Sequence, residues 1–136
     1  MVQQAAGLTV FQTPLRLAHA CDAGDENSVK NCFTADAKLF VFRPGTNVAH
    51  VCKEGRSEVV QLLIGHQQSQ DASRKHFIAD QIFEGQNTRK AHVKSKFLVT
   101  ECADSRVSIV AGGTYEDQLE KEDGRWLISL RRVILN

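Results

Sequence analysis

Asp22 and His76 are the residues of this chain whose types and settings best suit proton transfer. Asp22 opens the acidic turn Asp22-Ala-Gly-Asp25, at the end of a segment of helical period. There a negative charge opposes the helix dipole at a cost of roughly 0.3–1 kcal/mol, so the placement asks for a compensating partner. His76 lies in Arg74-Lys-His-Phe-Ile-Ala-Asp80, at the start of a series of long alternating runs, and imidazole is the side chain that trades a proton most readily near neutral pH. Each has a plainer reading, Asp22 as a solvated turn residue and His76 as a satisfied core histidine. Tyr115, the single tyrosine, either donates a hydrogen bond to a ligand oxygen or fills the core. Asp80 and Glu101 are either pocket contacts or strand-end surface charges. Arg131 either pairs with a carboxylate or sits on an outer sheet face, and Trp126 reads as packing in the last hairpin.

Other chemistries find less support. His19, His50, His66 and His92 show no ligand spacing, and His50-Val-Cys52 alone is too little for zinc. No metal site is expected. Cys21, Cys32, Cys52 and Cys102 form no Cys-x-x-Cys pair, so they read as reduced thiols of a cytoplasmic protein. Cys21 has no activating base in view except His76. Gly112-Gly113 reads as a bend or bulge within a strand, since no helix follows to form a phosphate loop.

The elements that must position these residues can be read in order. Thr13-Pro14 has the chemistry of a helix start, with Val2 to Phe11 adding an earlier helical turn, and Leu15, Leu17, Ala18 and Cys21 give that helix an apolar face. Gly24 can end it in the left-handed conformation. Asp25 can cap a short second helix carrying Val29, Cys32 and Phe33 that closes over 31–37, before a strand at 38–43. Pro44 to Lys53 reads as a loop with a short extended piece at 48–51, and Val59, Val60, Leu62, Leu63 and His66 mark a third helix ending near Gln68. From Arg74 on, four alternating runs separated by Gly85-Gln-Asn87, Asp104-Ser105 and Glu122-Asp-Gly124 predict an antiparallel meander. Helices followed by such a meander make an α+β arrangement in one domain, 1–136.

Length and composition agree. A chain of 136 residues with 42% hydrophobic and 24% charged residues can bury a core without staples. Lys+Arg 17 against Asp+Glu 16 gives no net field to attract nucleic acid or an anionic membrane, and no apolar run reaches the roughly 18 residues of a membrane span. The N-terminus lacks the basic and apolar regions of a signal peptide.

Three segments carry a resemblance to a known family. Leu17 to Ala37 is similar to an aromatic-Ala-x-x-x-Asp-x-x-Asp … Phe-x-x-Asp-Ala pattern. Arg74 to Asp80 is similar to an x-x-His-x-hydrophobic-x-Asn strand, with Asp80 in place of Asn. Glu122 to Val133 is similar to a hairpin with Asp-Gly-x-Trp-x-Ile and a following Arg. In this order and spacing they resemble the SnoaL-like members of the nuclear-transport-factor-2-like, or cystatin-like cone, superfamily. The resemblance implies a curved, mostly antiparallel sheet wrapped around the N-terminal helices, a conical pocket, and a homodimer built through the sheet. The superfamily includes scytalone dehydratase, cyclases, isomerases and binding or scaffold proteins, so the fold does not fix the function.

The same resemblance implies that Asp22 and His76 work as a pair, the carboxylate orienting an imidazole that moves protons. Strand alternation then turns Ile78, Asp80 and Ile82 inward with His76, and Phe77, Ala79 and Phe83 outward. Val93, Ser95, Phe97, Val99 and Glu101 share the cavity face of the next strand. Glu101 falls where the dehydratase carries a second histidine, Cys21 and Val41 where it carries tyrosines, and Tyr115 where it carries a pocket Asn. These departures count against that particular dehydration. Two functions follow as expectations. One is a cofactor-free lyase, isomerase or cyclase acting on a small hydrophobic, oxygenated molecule, with Asp22 and His76 catalytic and Val41, Asp80, Phe97, Glu101 and Tyr115 at the substrate. The other is a non-catalytic module of the same cone fold that holds a small ligand or a protein partner, in which Asp22 and His76 would stand too far apart to hydrogen-bond.

Overall fold

The computed structural model describes residues 2–68 and 73–136, with side chains given for 10–65, 73–85 and 87–136. Helix α1 (Val2–Ala23) and the short α2 (Glu26–Lys30) precede strand β1 (Phe33–Phe42). Strand β2 (Val51–Glu54) and helix α3 (Arg56–Gln68) come next, then β3 (Arg74–Gln86), β4 (Lys90–Ala103), β5 (Arg106–Glu122) and β6 (Arg125–Leu135). One sheet has the order β2-β1-β6-β5-β4-β3. Every pairing is antiparallel except β1 with β6, which run parallel and bring the first and last strands together. Helix α1 packs on the sheet against β3, β4 and β6, which is the helices-on-one-face arrangement expected of this α+β chain.

Thr13-Pro14 does not start the first helix. Pro14 lies inside α1, where the lost N–H and ring clash ordinarily cost about 3 kcal/mol. Packing overrides that preference, because Val10, Thr13, Pro14, Leu17, Ala20 and Cys21 form one buried stripe at spacings of three and four. Thr13 serves the core, its hydroxyl donating to the Trp126 carbonyl at 2.8 Å. The helix ends where Gly24 allows it: Gly24 has φ +66°, and the Asp25 and Gly24 N–H groups donate to the Ala20 and Cys21 carbonyls at 3.0 and 3.1 Å, a Schellman closure. Asp25 then caps α2, accepting from the Ser28 N–H at 3.2 Å and the Ser28 hydroxyl at 2.7 Å. Those bonds, the hydroxyl's first, hold its carboxyl below the usual range.

The second helix stops sooner than its apolar residues suggest. β1 begins at Phe33, and a register shift between Phe33 and Lys38 lets the strand carry Phe33, Ala37 and Leu39 into the core. The segment 44–50 is loop, and β2 pairs with β1 from Val51. In the turns after β4 and β5, Asp104 and Ser105, then Asp123 and Gly124, all have positive φ, as tight hairpin turns of a right-twisted sheet require. Gly112-Gly113 is paired strand and not a bulge; the β5 irregularity falls beside Val99 and Thr100. A Cβ on Gly113 would fall on the Ile134 carbonyl oxygen, so close approach of β6 explains that glycine.

Candidate active site

Asp22 and His76 meet. Their elements are α1 and the edge strand β3, and Asp22 Oδ1 lies 2.7 Å from His76 Nδ1. The His76 main-chain N–H also donates to both carboxylate oxygens, at 3.2 and 3.1 Å. This is how the charge at the C-terminal end of α1 is accommodated: it takes up an N–H near one end of an edge strand, a group that helix-dipole considerations alone do not supply. An ionised carboxylate can only accept, so the hydrogen of the side-chain contact sits on Nδ1, and Nε2 is the ring nitrogen left to exchange a proton with a ligand. Both side chains are partly exposed, 15% for Asp22 and 24% for His76, so the pair is shielded yet reachable. They line a cleft of about 580 Å³ between α1 and β3, together with Leu15, Ala18, His19 and Ile78.

Behind the pair lies an apolar cluster separate from the main core. His76 is the register partner of Val99, and Val99, Phe97 and Tyr115 are buried together with half-buried Ile78, Ala111, Val133 and Leu135 against them. Ile78 belongs to both the cleft and this cluster. Phe97 and Tyr115 stack with ring centroids 4.1 Å apart and planes 4° from parallel. The Arg131 guanidinium in turn lies over the Tyr115 ring, its carbon 3.8 Å from the centroid. Arg131 is bound to Asp117 by two hydrogen bonds of 2.7 and 2.9 Å, with side chains 7% and 0% exposed. The reading of Arg131 as paired with a carboxylate holds, and its outer-face alternative does not, since the side chain is buried. The signal was present: Asp117 and Arg131 are facing residues of the last two strands, and an acidic residue alternating with Tyr115 and Leu119 on an inward face must be paired.

The electrostatics of this layer set its chemistry. Burial pushes the Tyr115 hydroxyl up to about 12, against the pull of Arg131 and helped by the charges of Asp117, Cys21 and Asp22, so it remains a protonated donor at neutral pH. Burial likewise pushes the Cys21 thiol up to about 12, again opposed by Arg131. Cys21 is therefore a packing residue and no nucleophile. Cys32 is also buried, with its thiol raised by burial, whereas Cys52 and Cys102 are exposed. In the folded protein a thiol-specific disulfide reagent is expected to modify Cys52 and Cys102 promptly, leaving Cys21 and Cys32 to react only on unfolding. Prompt reaction of all four would contradict the burial described.

The remaining sequence candidates divide. Val41 is half-buried on β1, paired in register with Val133 and packed on the main core. Glu101 shares a face with Val99 but is held by Arg74 at 3.0 Å, with side chains 34% and 28% exposed. Asp80 does not point inward. It takes a positive φ of 49° where the β3 register shifts between Ala79 and Ile82, and its carboxylate reaches Lys96 at 3.3 Å on the surface. The bulge reverses the alternation: Ile82 is exposed, while Phe83 turns inward and meets Phe11 edge to face at 5.2 Å. Among the described residues no group of three or more His, Cys, Asp or Glu gathers that could hold a metal ion, and no helix is long and apolar enough to cross a membrane.

Comparison with known proteins places the fold. No curated protein sequence matches the chain. Among solved structures, an Asp-to-Asn variant of the function-unknown protein Rv3472 from Mycobacterium tuberculosis superposes with a TM-score of 0.83 at 23% identity, over 98% of this chain and 73% of that one. A cystatin-like-fold protein of unknown function from Nostoc punctiforme gives 0.80 at 20% identity, over 96% and 90%. A candidate scytalone dehydratase from Novosphingobium aromaticivorans gives 0.79 at 17% identity, over 98% and 86%. These likenesses establish the cystatin-like cone fold. The model of the SnoaL-like domain matches residues 9–132, and the chain belongs to the SnoaL-like domain family.

Proposed function

We propose that the protein is a small, cofactor-independent enzyme of lyase, isomerase or cyclase type that moves a proton on a hydrophobic, oxygenated small molecule. The observation that carries this reading is the 2.7 Å contact between Asp22 and His76 in a cleft backed by an apolar cluster. Asp22 fixes the ring and its tautomer and stabilises the imidazolium that forms when Nε2 takes a proton. Leu15, Ala18 and Ile78 supply apolar lining for a carbon framework, and Phe97, Val99 and Tyr115, whose hydroxyl stays protonated, pack against Ile78. Arg131, neutralised by Asp117 and stacked on Tyr115, holds that ring in place. Asp80 has no part in this step, and Glu101 stays tied to Arg74 at the edge of the layer. The structural likeness to a candidate scytalone dehydratase supports the reaction class. The non-catalytic reading requires the two residues to stand apart, and the contact weighs against it.

The test is exchange of a carbon-bound proton. The protein in deuterated buffer with a benzo-fused cyclic ketone such as 2-tetralone is expected to speed deuterium uptake beside the carbonyl, and His76→Ala, with an unchanged circular dichroism spectrum, is expected to abolish the increment. Equal exchange by His76→Ala would overturn the assignment.

We also propose that 1–136 acts as one domain and forms a homodimer through the outer face of the sheet. Phe77 and Leu98 are facing residues there, and with Val107 and Ile109 they stay 43–71% exposed, a cluster of large apolar side chains of the kind that marks an interaction surface. Sedimentation equilibrium is expected to give twice the chain mass, reduced to the monomer by Leu98→Asp. A monomeric wild-type protein would refute this.

A further inference from the structure

A second groove, of about 500 Å³, runs along the neighbouring face of α1, bounded by the Asp25 cap of α2 and the start of β6. His19 and Ala23 line both this groove and the Asp22–His76 cleft. Four of its lining residues, Thr13, Ala20, Cys32 and Trp126, are buried to nine-tenths or more, and its cations are Arg16 from α1 and Arg125 from β6. Each guanidinium has a neutral partner only. Arg16 donates to Gln12 Oε1 at 2.9 Å and Arg125 to the Asn31 carbonyl at 3.1 Å, and among the described residues neither forms an ion pair. The one carboxylate lining the groove, Asp25, is already engaged by Ser28. Both guanidiniums line the groove together with Cys32. Beside it, the indole Nε1 of Trp126 is buried with no hydrogen-bond partner among the described residues, a donor left over in a groove that already has an excess of positive charge.

We propose that this groove binds an aromatic carboxylate, with the carboxylate group between Arg16 and Arg125 and the ring against the Ala20–Trp126 side. Guanidinium groups match a carboxylate through paired N–H donors. Apolar lining distinguishes the ligand from bare phosphate, which gains nothing from such contact.

Trp126 is the only tryptophan in the sequence, so its emission reports on this groove directly. Titration with benzoate is expected to give a saturable change with a Kd on the order of 1 mM, whereas the uncharged isostere benzamide gives none. Arg16→Gln and Arg125→Gln, both at exposed positions, are each expected to weaken benzoate about tenfold, with His76→Ala unchanged. The inference is overturned if benzoate produces no saturable change, if benzamide reproduces it, or if both Arg variants bind benzoate as the wild type does. A failure here leaves the proton-exchange assay unaffected, because the two experiments read different faces of α1.

Discussion

Asp22→Asn is expected to lower the rate of ketone proton exchange by roughly 10²–10⁴, the range typical of a positioned acid/base, while the fold persists. Asn retains an oxygen to accept the His76 main-chain N–H, so the link between α1 and β3 survives. It loses the second acceptor oxygen and the charge. Its NH2 can donate to Nδ1, which moves the ring hydrogen to Nε2 and removes the basic nitrogen from the ligand side. A structural role alone predicts a different outcome, in which stability falls and the rate per folded molecule does not. Measuring exchange and the urea midpoint on the same preparation separates the two.

The largest stability effect is expected at Asp117. Asp117→Ala leaves the Arg131 guanidinium buried and unpaired beside Tyr115, and removing one partner of a buried ion pair costs about 3–5 kcal/mol. Replacing both residues, as Asp117→Leu with Arg131→Met, removes the charge as well as its partner and is expected to recover much of that loss. Urea denaturation checks both. A loss below about 1 kcal/mol in Asp117→Ala would mean that water reaches the guanidinium, contrary to its 7% exposure.

The sequence carried much of this arrangement, and its failures have physical causes. The hairpin turns, the Gly24 end and the Asp25 cap were legible because each depends on chemistry within a few residues. The length of α1 was not, since burial of Pro14 and Thr13 against β6 decides it from 113 residues away. Alternation along β3 held through Ala79 and failed after it, because a bulge at Asp80 carries no sure local mark when the residue is not glycine. The Asp22–His76 pairing came from the family resemblance, and only the three-dimensional structure brings the two within 2.7 Å. Pairing of Arg131 with a carboxylate was one of two readings the sequence left open, and Asp117 was not singled out, because a charged residue on an alternating strand reads as solvent-facing until its partner across the sheet is identified.

The most direct test of the central claim is the nitrogen-15 and proton spectrum of the His76 ring. Expected are a strongly hydrogen-bonded Nδ1–H signal that exchanges slowly with solvent, a neutral ring whose hydrogen resides on Nδ1, and loss of that pattern in Asp22→Asn. A hydrogen resident on Nε2 in the wild-type protein, or a spectrum unchanged by Asp22→Asn, would contradict it.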